Sequence, residues 1–137
     1  MKAQDIFDKA LGGVIRQGNL AIHGAYAACS YRTPDGRACG VGQLLDDETA
    51  AKLDACRDDP NGDSSINCVP VALVPIELHP HLDLLGEIQH AHDDAGSGRQ
   101  DADARLLKYL DLMENVAHRN GLEVKFSAED VAKAVFA

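Results

Sequence analysis

The sequence predicts an α+β fold: a mostly helical, small single domain over residues 1–137, packed against a short antiparallel β-hairpin at residues 28–42. Three observations carry this expectation. Apolar residues recur at helical spacing near both ends of the chain, and a Thr33-Pro34-Asp35-Gly36 turn joins two short runs. The hydrophobic fraction of 45% over 137 residues is that of one ordinary core, with no apolar run long enough for a membrane span.

Residues 3 to 17 suit an opening helix, because Ile6, Phe7, Ala10, Leu11 and Val14 recur on one side and Gly18-Asn19 supplies a stop. The little-charged stretch 20 to 28 leads into the first strand. Pro34 and Asp35 fit the centre of a type I turn, and Gly36 fits the left-handed position that follows. With a bulge at Gly36, Thr33 faces Arg37, Tyr31 faces Cys39 and Cys29 faces Val41. Cys29, Tyr31, Cys39 and Val41 then share one face, whereas a tight two-residue loop would shift the register by one and separate the cysteines.

Beyond the hairpin, Gly40 and Gly42 indicate close backbone packing or a bend, and Asp46 or Asp47 can cap a short helix ending near Ala55 or Cys56. Residues 57–65 read as a polar loop, and Ile66 to Ile76, broken by Pro70 and Pro75, as an edge strand or extended core connection. A helix from about Pro80 to Asp94 turns Leu82, Leu85, Ile88 and either Gln89 or His92 inward. The strongest helix, about Asp101 to Asn120, carries Leu106, Leu107, Leu110, Met113, Val116 and Ala117 on its apolar face and ends at Gly121. Ser127, with Asp130 three residues on, caps a last short helix.

With 22 acidic residues against 13 Lys and Arg, the formal charge is −9, which disfavours nonspecific binding to nucleic acid or to an anionic membrane surface. The acidic balance keeps the chain soluble and suits recognition of a basic protein surface. Met1 to Gln17 has the pattern of an amphipathic helix rather than of a signal peptide, so the expected location is cytoplasmic. In that compartment Cys29, Cys39, Cys56 and Cys68 are expected as packed free thiols rather than disulfides.

Candidate chemistry is sparse. Zinc is the one cofactor the residues would permit, with ligands drawn from Cys29, Cys39, Cys68, His79 and His92, although their spacing is irregular and no HExxH element is present. His81 and His92 would lie about 16 Å apart on a helix, too far for one metal centre. A second arrangement makes Cys39 a thiolate nucleophile with His92 as its base and Asp93 as orienter, but Asp93 diverges from its neighbour around the helix. Packed or helix-terminal roles account for the same residues without catalysis, so no cofactor and no catalytic residue is expected. Gly40-Val41-Gly42-Gln43 lacks the Lys-Ser/Thr of a phosphate loop, and the 57–65 acids lack the EF-hand order. Arg32 and Arg37 could engage a carboxylate or phosphate, and Tyr31 could anchor a protein partner.

The run Tyr31-Arg32-Thr33-Pro34-Asp35-Gly36-Arg37-Ala38-Cys39-Gly40-Val41-Gly42-Gln43-Leu44 resembles a YR-x-PDG-x-x-C-x-x-G-x-L motif of small bacteriophage and prophage proteins. Ile88-Gln89-His90-Ala91-His92-Asp93 resembles the later helical Gln-x-x-His-Asp element of that family. Leu45-Asp46-Asp47 and the additional Cys29 depart from the pattern. The family brings no established activity. The resemblance implies a phage-type accessory protein that binds a host or phage protein, with inhibition of a bacterial defence system as one outcome. The alternatives are a cysteine- or zinc-dependent hydrolase around Cys39 and His92, and a structural assembly factor; the sequence leaves self-association open.

Overall fold

The opening periodicity produces helix α1 (Ala3–Arg16), which buries Ile6, Phe7, Ala10, Leu11, Val14 and Ile15. The computed structural model describes residues 1–23, 28–56, 65–98 and 101–136. Within them follow β1 (Ile22–His23), β2 (Ala28–Cys29), α2 (Asp47–Ala55), α3 (Leu82–Gly96), α4 (Ala102–Asn120) and α5 (Ala128–Val135). Helices α3 and α4 pack along each other, and α1 lies against α4 and α5. One continuous apolar core runs from Ile6 to Val131.

Helix ends follow the local chemistry. Asp46 accepts the Thr49 N–H at 2.7 Å and caps α2, which holds its carboxyl below the usual range. Gly121 closes α4 in the left-handed conformation at φ 65°. Asp130 accepts the Ser127 N–H at 2.8 Å to open α5. On α4 the buried stripe is Leu106, Tyr109, Leu110, Met113, Val116 and Ala117, while Leu107 is exposed. The expected Leu107 is thus replaced by Tyr109, which continues the three-and-four spacing that Leu107 breaks.

The α+β expectation is overturned: the fold is helical, and the hairpin at 28–42 does not form. Among the described residues, the only strand pairing is the two-residue ladder of β1 with β2, in which Cys29 pairs with Ile22 rather than Val41. The turn itself is present. The Gly36 N–H donates to the Thr33 carbonyl at 2.9 Å, the Thr33 N–H to the Arg37 carbonyl at 2.8 Å, and Gly36 has φ 89°. Thr33 therefore faces Arg37 as expected, but the ladder stops there.

The reason is competition for backbone groups. Asp54 on α2 accepts the N–H groups of Tyr31 at 2.9 Å and Arg32 at 3.1 Å, one on each carboxylate oxygen. The Ser30 N–H goes to the Ala21 carbonyl at 3.0 Å. On the other side of the turn, the Gln17 amide accepts the Ala38 N–H at 3.1 Å and donates to the Ala38 carbonyl at 2.8 Å, joined there by Gln43 Nε2 at 3.0 Å. With the N–H groups of Tyr31, Arg32 and Ala38 and the Ala38 carbonyl taken by side chains, these positions do not extend a strand ladder beyond the turn. Asp54→Ala is expected to cost about 2–3 kcal/mol in urea unfolding, because two partly buried N–H groups lose a charged acceptor. An unchanged midpoint would show that water replaces the carboxylate.

Between Ile66 and His81, 3₁₀ turns at Val71–Leu73 and Ile76–His81 replace the edge strand or extended connection. Pro70 and Pro75 immediately precede these turns, and their fixed φ starts each one. The polar loop expected at 57–65 lies outside the described residues except for Ser65.

Candidate functional site

Helix α3 places Gln89 and His92 on its inward side, so both of the alternative inward residues are used. Gln89 Nε2 donates to the Tyr31 hydroxyl at 2.9 Å, and its carbonyl oxygen accepts the Ile66 N–H at 2.8 Å. His92 Nε2 accepts the Ala21 N–H at 3.1 Å, which assigns the ring proton to Nδ1. His92 meets the Tyr109 ring edge-on at 5.7 Å between centroids, and the Tyr109 hydroxyl donates to the Ala10 carbonyl at 3.2 Å. The Gln-x-x-His pair thus ties the chain before β1, the loop after the β1–β2 ladder and the start of the 66–81 segment to one helix.

Cys39 is 3% exposed, and its sulfur accepts the Gly42 N–H at 3.3 Å. Burial pushes the thiol pKa up to about 12. His92 is 0% exposed, and burial pushes its pKa down to about 3. At neutral pH the pair is a protonated thiol and a neutral imidazole, each already bonded to a main-chain N–H. Asp93, by contrast, is exposed on the helix.

The remaining candidates are placed apart. His79 Nε2 lies 2.8 Å from the Val74 carbonyl oxygen, and Cys68 is exposed. The Cys29 side chain lies outside the described residues. No group of three or more metal-ligating side chains converges among the described residues. Tyr31 is buried, and burial raises its phenol pKa.

Both arginines beside the turn reach carbonyl oxygens of this chain. Arg32 Nη2 donates to Leu45 at 2.8 Å, and its Nε lies 3.0 Å from Asp47 Oδ1 as an ion pair without hydrogen-bond alignment. Arg37 donates to Leu20 at 2.8 Å and Ile22 at 3.2 Å, while its Nε bonds the Asp35 carboxylate. Thr33 and Arg37 together hold Asp35 below the usual carboxylate range. The motif residues act as fasteners of an irregular loop.

Sequence reasoning missed a surface feature on α1 and α5. Gly12 lets the Phe126 ring lie against α1, since a Cβ there would overlap the ring. The Arg16 guanidinium sits 5.5 Å from the centroid of that ring. Two adjoining hollows of about 300 and 270 Å³ share Arg16 and Phe126. The available signal was Lys9 and Arg16, two helical turns apart on one face; Phe126 arrives from far along the chain.

The chain matches no family model, no curated protein and no solved structure. No helix among the described residues is long and apolar enough to cross a membrane.

Proposed function

We propose that the protein is a non-enzymatic, phage-type accessory protein that works by binding a host or phage protein. One observation carries the reading: Cys39 and His92, the side chains best suited to catalysis, are 3% and 0% exposed and hydrogen-bonded to the protein's own backbone. The motif resemblance supplies the phage context and the acidic surface its solubility. The hydrolase alternative has less support, because a thiol with a pKa near 12 supplies almost no thiolate at neutral pH. Inhibition of the bound protein is the narrower form of the proposal.

The test is capture from bacterial lysate at physiological salt, followed by titration with the purified captured protein. A saturable one-to-one complex is the expected result, and loss of the partner's activity on binding would establish inhibition. Failure to obtain any saturable partner from host or phage-infected lysate would overturn the reading.

A further inference from the structure

The groove between α1 and α5 is lined by four cations, Lys9, Arg16, Lys125 and Lys133, and by two carboxylates, Asp8 and Asp130. The carboxylates that line or flank it are paired or capping, and beyond them the Asp5 and Glu123 carboxylates also act on Lys125. Asp8 pairs with Lys125 at 2.9 Å, Asp130 accepts the Ser127 N–H, and Glu129 lies 3.5 Å from Lys133. Lys9 and Arg16 have no carboxylate partner among the described residues, in a chain whose acids outnumber its Lys and Arg 22 to 13. Both are exposed.

Arg16 also meets an aromatic ring. Its guanidinium carbon lies over the Phe126 ring, 5.5 Å from the centroid, and its N–H groups take no carboxylate among the described residues, which leaves them available for a two-pronged bond to one. Beside it, Ile15, Ala134 and the Phe126 ring form an apolar wall in the 300 Å³ hollow. The other hollow continues past Lys9 and Lys125. A cationic head over an apolar wall, followed by a second cation, selects a ligand that alternates apolar and negative groups.

We propose that this groove binds an acidic peptide segment of a protein partner, with one apolar side chain against Ile15 and Ala134, its neighbouring carboxylate on Arg16 and a second carboxylate near Lys9. The proposal rests on the protein-binding reading and names the surface and the partner's chemistry. Complementary charge is what identifies the occupant: the chain carries −9 overall, whereas the residues lining this groove are four cations against two carboxylates. The contact is expected to weaken with salt because Lys9 and Arg16 are at the surface.

The test is selection of a random linear peptide library on the folded protein at low ionic strength, with backbone amide NMR to map the selected peptides. The expected result is an enriched consensus of Asp or Glu next to Leu, Ile or Phe, shifting resonances of Arg16, Phe126 and Lys133. Replacing its acids by Asn and Gln is expected to weaken binding about tenfold or more, as is Arg16→Glu, with Lys9→Glu losing roughly threefold. Lys9 makes no ion pair or side-chain hydrogen bond among the described residues, so Lys9→Glu guards against a folding defect in Arg16→Glu. A neutral or basic consensus, no enrichment, or binding that survives both substitutions would overturn the proposal. So would saturation of the groove by inorganic phosphate or single-stranded DNA with no response to the acidic peptides. Failure of lysate capture with intact peptide binding would instead count against the accessory-protein reading alone.

Discussion

Gly42→Ala is expected to destabilise the protein by about 3 kcal/mol or more, the largest effect of any single methyl group added to the motif. A Cβ at Gly42 would run into the Tyr31 backbone carbonyl, which Asp54 fixes from the other side of the same residue. Backbone held in this way cannot yield as a side chain does. Gly36→Ala provides the contrast: nothing lies within 4 Å of a Cβ there, and only the φ of 89° opposes it. That substitution is expected to cost about 1 kcal/mol. Urea unfolding of the two variants separates close packing from backbone conformation, and a reversal of their order would contradict the packing around Tyr31.

The second large effect is a loss of stability in acid that originates at His92. Its folded-state pKa is lowered by burial to about 3, whereas an imidazole in the unfolded chain titrates near 6.5. The unfolded chain therefore binds the proton first. The stabilisation is fully present above about pH 6.5 and is lost as pH falls from there towards 3, with a limiting slope of about 1.4 kcal/mol per pH unit. His92→Gln keeps an acceptor for the Ala21 N–H but removes the titration. Unfolding free energies at pH 7 and pH 5 are expected to differ by about 2 kcal/mol for the parent chain and to converge for the variant. Equal pH dependence in both would show that His92 is protonated within the fold.

These two residues show where sequence and structure part. The helices were legible because their information is local: Asp46, Gly121 and Ser127 with Asp130 mark ends by the N–H or φ that each end requires. The Pro34-Asp35-Gly36 turn was legible for the same reason. The hairpin failed because backbone groups of Tyr31, Arg32 and Ala38 are taken by the Asp54 and Gln17 side chains, contacts spanning about twenty residues with no periodic trace. Leu107 was expected inside by hydrophobicity alone, but Tyr109 lies on the stripe and can bury its hydroxyl by bonding the Ala10 carbonyl.

The candidate site was legible as residues and not as roles. Cys39, His92 and the two arginines stood out in the sequence for their chemistry, yet in the fold each bonds main-chain groups of this chain. A side chain that recognises this protein's own backbone and one that recognises a ligand have the same composition in a sequence. The cationic groove was hidden because Phe126, over which the Arg16 guanidinium lies, is brought to α1 only by folding.

Cys39, buried and bonded through its sulfur to the Gly42 N–H, is expected to behave as a sealed structural thiol. The most direct test is iodoacetamide alkylation of the native protein at pH 8, followed residue by residue through peptide mass mapping. Exposed Cys68 is expected to react at the rate of an accessible thiol, and Cys39 only at the rate of global unfolding, accelerating as urea is added. Native-state alkylation of Cys39 as fast as that of Cys68, with a pH profile centred near 8 or below, would contradict that role.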